Sequence, residues 1–142
     1  MKRVFVLFGV LIPVFVLGLW LGKVSPGKAD TKDRVFELRV YTTEDGKMDA
    51  LLARFQNHTT SLFEKYGITN IGYWRPTDPP ASQNTLIYLL AHPSRQAADK
   101  AWEAFRKDPE WIKVKQESEV NGTLVKKVDS TFMTATDFSK LK

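Results

Sequence analysis

The nine residues Arg34-Val-Phe-Glu-Leu-Arg-Val-Tyr-Thr42 constrain this chain more than any other stretch. Phe36, Leu38 and Val40 fall on one side, and Val35, Glu37, Arg39 and Tyr41 on the other. Strict alternation with β-branched and aromatic residues is the pattern of a strand in a sheet. The second side carries Glu, Arg and Tyr, a specific polar set. Either side of such a strand can meet a covering layer, so the rest of the chain has to supply a layer for one face and a use for the other.

The following segment changes period. Thr42-Thr-Glu-Asp-Gly46 reads as a turn, with Asp45 or Gly46 as the cap of a helix over 47–66. Met48, Leu51, Leu52, Phe55, Leu62, Phe63 and Tyr66 form one apolar stripe along it. Gly67 stands where a helix commonly ends. Residues 68–75 predict a second strand, and Pro76, Pro79 and Pro80 a loop up to Asn84. Thr85 to Ala91 is apolar on both sides, the mark of a strand buried on both faces, central in its sheet or covered by a partner.

Ser94 caps a second helix, with Ala97, Ala98, Ala101, Trp102 and Phe105 inward. Asp108-Pro109 restarts the chain as cap and first helical residue of a short helix, with Trp111, Ile112 and Val114 inward. Asn121-Gly122 is a turn, 125–136 the last strand, and His92 a loop residue. The order β-α-β-β-α-(α)-β predicts an α+β, ferredoxin-like domain over 34–142: a four-stranded antiparallel sheet with helices on one face. An apolar sheet face left open invites a second copy, hence a homodimer.

Residues 1–33 stand apart. Lys2-Arg3 precedes an uncharged, mostly apolar run from Val4 to Gly22. A basic start followed by an apolar stretch is the layout of a secretory signal, and this run also just suffices to span a bilayer as an N-terminal anchor helix. Residues 1–22 therefore read as a signal peptide, cleaved near Ala29/Asp30, or as a retained membrane anchor through 4–22. Residues 23–33 read as a linker. Both alternatives export the domain to the periplasm, to the extracellular side, or to the membrane surface. The formal charge of +5 arises largely here: without the first thirty residues, 17 of 21 basic and 15 of 16 acidic residues remain. Nucleic acid is accordingly no expected partner of the domain. Without Cys, the chain has no disulfide, thiolate catalyst or thiolate metal site.

Phe36-Glu-Leu-Arg-Val-Tyr-Thr42, Gly46-Lys47 opening a long helix, Gly72-Tyr-Trp74 and Asp108-Pro-Glu-Trp111, in this order, resemble a NIPSNAP domain. Thr136-Asp-Phe-Ser139 is similar to that family's closing motif, with Asp137 in the place of Pro. The resemblance runs from about Val35 to Ser139. It implies the dimeric α/β-barrel architecture and therefore a homodimer. It implies no particular catalytic mechanism.

Candidate site residues carry two readings each. Glu37, Arg39 and Tyr41 share a strand face, either as a polar patch beside a ligand or as an internal ion-pair network. His58 lies three residues after Phe55 and four before Leu62, at the edge of the buried stripe. It is the candidate general base, or else a histidine satisfied at the core margin. Tyr73, Trp74 and Tyr88, with Trp102 and Trp111, line an apolar ligand pocket or simply fill the core. Two histidines without Cys or a flanking acidic motif make no metal site, and no cofactor-binding motif is present. These features predict an exported binding or interaction module, homodimeric, with a small apolar ligand. The alternative is a small cofactor-independent monooxygenase or isomerase using His58.

Overall fold

The computed structural model describes residues 34–142. The signal or anchor over 1–22 and the linker over 23–33 lie outside the described residues. Among the described residues no helix is long and apolar enough to cross a membrane.

The elements follow the expected order. Strand β1 (Val35–Thr43) leads into helices α1 (Met48–Arg54) and α2 (Thr60–Lys65), joined by a π-helical turn over Phe55–Thr59. Strand β2 (Thr69–Trp74), the short helix α3 (Ala81–Asn84) and strand β3 (Thr85–His92) come next. Helices α4 (Arg95–Lys107) and α5 (Pro109–Ser118) and strand β4 (Val125–Thr134) complete the domain. The sheet is antiparallel with strand order β2-β3-β1-β4, so β1 and β3 are central. This places Thr85–Ala91, apolar on both sides, where both of its faces are used.

Local chemistry explains most boundaries. The Ser94 hydroxyl accepts from the Ala97 amide and starts α4. The Asp108 carboxylate accepts from the Glu110 and Trp111 amides at 2.6 and 3.3 Å, with Pro109 in the first turn of α5. The first helix departs from expectation: its cap is Lys47, which makes no side-chain capping bond. Gly46 turns the chain into it at φ +71°, a left-handed conformation that Gly adopts without strain. Ile112 is exposed, and Val114 is the buried residue of α5. The four residues of α3 lie in the segment expected as loop.

The two faces of β1 are assigned by its contacts. Glu37 bonds the indole of Trp102 on α4, and Tyr41 packs edge-on to Phe55 at the helix junction. The polar side of β1 therefore meets the helices, and Phe36, Leu38 and Val40 face the other way. Cross-strand pairing extends that outer face to Ala91, Leu89 and Ile87 on β3 and Met133 on β4. Leu38, Val40, Ile87 and Leu89 are half-buried there, and Trp74 is 53% exposed. Gly72 belongs to the same face. A Cβ on it would lie 2.6 Å from the Trp74 ring, so the missing side chain lets the indole lie flat across the strand. Between sheet and helices sits the core, built on Leu51, Phe63, Ile68, Leu86, Tyr88 and Leu90.

Candidate functional site

The helix-facing side of β1 carries a buried polar network. Glu37 is fully buried, and its carboxylate accepts four hydrogen bonds. Oε1 receives Arg39 Nη1 at 2.6 Å and Ser130 Oγ at 2.7 Å; Oε2 receives Trp102 Nε1 at 2.7 Å and His92 Nε2 at 3.0 Å. Burial pushes this carboxyl upward, but the bonds from His92, Ser130 and Trp102 and the Arg39 charge outweigh it, holding the pKa down at about 2. Glu37 is thus a fixed anion that anchors Arg39. The guanidinium lies 4.4 Å from the Trp102 ring, donates Nε–H to Tyr88 Oη at 2.9 Å and reaches Tyr41 Oη from Nη2 at 3.4 Å. Burial pushes the Tyr88 hydroxyl well above its ordinary range, so it stays protonated.

Beyond Tyr41 the layers part around a cavity of about 240 Å3. Its floor is sheet, from Tyr41, Val125 and Val128; its walls are the helix residues Phe55, Phe63, Trp102, Phe105 and Trp111. Arg54 closes one side. Its side chain is 5% exposed, and Nη1 donates to Glu119 Oε1 at 3.0 Å and Ser118 Oγ at 3.2 Å. The guanidinium also lies 5.3 Å from the Trp111 ring. Arg54 Nε is buried with no partner among the described residues. Lys115 and Thr123 complete the rim. The chamber is mostly aromatic, with the Tyr41 hydroxyl backed by Arg39, two threonines, Thr59 and Thr123, and one charged edge.

The structure brings together only part of the expected site. Arg39, Tyr41 and Tyr88 form one hydrogen-bonded group, and Tyr73 stacks on Tyr88 with ring centroids 5.3 Å apart. Trp74 does not join them, because it lies on the outer sheet face. His58 is separated as well. It is exposed in a shallow groove between α1 and α5, beside Asn57 and Glu117, away from Arg39 and Tyr73. The π turn explains this. Each of its residues rotates less about the axis than in an α-helix, which carries Thr59 toward the direction of Phe55 and swings His58 outward. Thr59 is buried and borders the cavity, its Oγ1 donating to Arg54 O at 3.2 Å. His92, expected in a loop, ends β3 and is 1% exposed on Glu37. Arg54 and Glu119 escaped sequence reading; Arg54 at the rim of an apolar stripe looks like any solvated helix cation.

The family model of NIPSNAP matches residues 36–140. The chain belongs to the NIPSNAP family. No curated protein matches it in sequence. The fold of this NIPSNAP domain is similar to two solved NIPSNAP family proteins from Agrobacterium tumefaciens. The first, of unknown function, has a TM-score of 0.67 at 18% identity, covering 78% of this chain and 96% of its own. The second has a TM-score of 0.67 at 21% identity, covering 77% and 99%. A more distant likeness is to SnoaB, a cofactor-independent oxygenase from Streptomyces nogalater, with a TM-score of 0.51 at 12% identity, covering 74% and 95%. At these identities the likeness concerns the fold alone.

Proposed function

We propose that this NIPSNAP domain is a homodimeric binding module that holds a small, largely apolar molecule between its sheet and its helices. The observation that carries the reading is the cavity itself: an aromatic chamber of about 240 Å3 with Tyr41 on its floor and Arg54 at its edge. Concave, mostly apolar sites with a few fixed polar groups are the usual form of small-molecule sites, and drug-sized ligands fill about 300–1,000 Å3. A chamber below that range suits a ligand of one or two rings. The homodimer is supported by the outer sheet face, where Leu38, Val40, Ile87, Leu89 and Trp74 present apolar surface. The apolar run over 4–22 supports export, as a cleaved signal or a membrane anchor. The distant likeness to SnoaB would favour the oxygenase alternative, but His58 stands outside the chamber and leaves that chemistry without its expected base.

Two measurements test this reading. Sedimentation of the full chain at micromolar concentration should give a dimer, and a monomer refutes the assembly. A thermal-shift survey of one- and two-ring aromatic compounds should return stabilising ligands whose effect is lost in Phe55→Trp, which fills the chamber. Ligands that stabilise Phe55→Trp equally refute the cavity as their site.

A further inference from the structure

The hydrogen-bond wiring below the cavity decides where one proton points. Arg39 has only donors. It gives Nε–H to Tyr88 Oη at 2.9 Å and reaches Tyr41 Oη from Nη2 at 3.4 Å. The Tyr41 and Tyr88 rings meet edge-on with centroids 5.2 Å apart, and both hydroxyls share the same guanidinium. Tyr88 is 0% exposed and sealed in the core, whereas Tyr41 is half-buried and borders the cavity. Tyr41 Oη accepts from Arg39, and its own O–H finds no acceptor among the described residues. The cavity that Tyr41 borders is where a ligand can supply that acceptor.

A second, independent observation concerns the charged edge. Arg54 and Lys115 are cations on the lining and Glu119 an anion, and the anion is already paired with Arg54 Nη1 at 3.0 Å. Arg54 makes no hydrogen bond through Nη2 among the described residues, and its Nε is orphaned at 5% side-chain exposure. The lining thus offers one surplus positive charge and a hydroxyl proton without a protein acceptor inside largely apolar walls.

We infer that the cavity takes a one- or two-ring aromatic carboxylate, whose anionic oxygen accepts the Tyr41 proton and is balanced by Arg54 and Lys115. This rests on the binding reading above and adds the ligand class. An apolar ring alone would leave the Tyr41 proton and the Arg54 edge unpaired, which is the way a polar site rejects a neutral analogue. A carboxylate satisfies both, through charge-assisted bonds of the stronger kind.

The test is calorimetric titration of the full chain with 2-naphthoate and with neutral 2-naphthylmethanol. The anion should bind at least about tenfold tighter than the alcohol. Tyr41→Phe should remove most of that preference, weakening the anion far more than the alcohol. Lys115→Met, an exposed change that keeps the fold whatever befalls Tyr41→Phe, should weaken the anion a few-fold and flatten its salt dependence. Equal affinity of both probes for the wild type overturns the ligand class and leaves the binding reading standing. An unchanged preference in both variants does the same. If neither probe binds, the cavity reading falls and the inference with it.

Discussion

Glu37→Gln is the most informative single change, because it keeps shape and volume while removing one charge from the centre of the domain. The carboxylate accepts two bonds on each oxygen, from four donors. An amide offers one oxygen and one NH2. If the oxygen stays on Arg39 and Ser130, the NH2 faces His92 and Trp102. His92 can shift its tautomer and accept, but the indole N–H is only a donor and is left unpaired. A buried unpaired donor costs about 1–3 kcal/mol, and Arg39 loses its counter-ion as well. The pKa gives a second route to the magnitude. A carboxyl lowered from 4.5 to about 2 contributes about 3 kcal/mol at neutral pH. Both routes converge on a loss of about 3 kcal/mol, a fall in Tm of roughly 12–20 °C for a domain of this size. Equilibrium denaturation of both proteins across pH measures it. Because the folded-state pKa is depressed, the contribution is present in full above 4.5 and is lost as pH falls toward 2. The gap between wild type and Glu37→Gln should therefore close over that window. A gap below about 1 kcal/mol at pH 7, or one that does not narrow with acid, refutes the network as the domain's electrostatic keystone.

Other outcomes are specific enough to check. Leu51→Ala, at a position with no exposure, should cost about 2–5 kcal/mol in denaturant titration. Asp108→Ala should destabilise more than Asp108→Asn, since Asn keeps the cap on Glu110 and Trp111 while losing the Lys65 ion pair. Its carboxyl is held well below the usual range by bonds from Lys65 and Tyr66, so the Asp108→Asn penalty should be present at neutral pH and fade in acid. Leu89→Lys, on the outer sheet face, should turn the proposed dimer into a sedimenting monomer with unchanged far-ultraviolet circular dichroism. Paired lysines across a twofold axis cost several kcal/mol.

The order of the elements, both helix caps at Ser94 and Asp108, and the central place of β3, one of two readings of its apolar faces, were legible because each rests on local pattern: period, capping chemistry, and apolarity on both faces. Glu37, Arg39 and Tyr41 were legible as a set, since they share one side of an alternating strand. Their placement toward the helices was not, because alternation is symmetric and the apolar side is the usual candidate for the interior. The chamber was less readable still. It draws Arg54 from α1, Trp111 and Lys115 from α5 and Val128 from β4, residues whose convergence depends on tertiary packing. His58 was misplaced because an α-helical period was applied across a turn that winds differently. No run of Gly or Pro marks that turn in Phe55-Gln-Asn-His-Thr59.

The inward set of β1 has a consequence for how the domain reaches its structure. A slip of one residue between β1 and its neighbours would turn Phe36, Leu38 and Val40 toward the helices and Glu37 and Arg39 toward water. Judged by hydropathy alone, that slipped strand is the ordinary one, and it is a competitor built into the chain. Against it stand Glu37's four bonds and Tyr41's contacts with Phe55 and Tyr88. Two of those bonds, from Trp102 and Ser130, require α4 and β4, which are made after β1 to β3. Until those two arrive, the slipped pairing competes against only part of the set that fixes the native register.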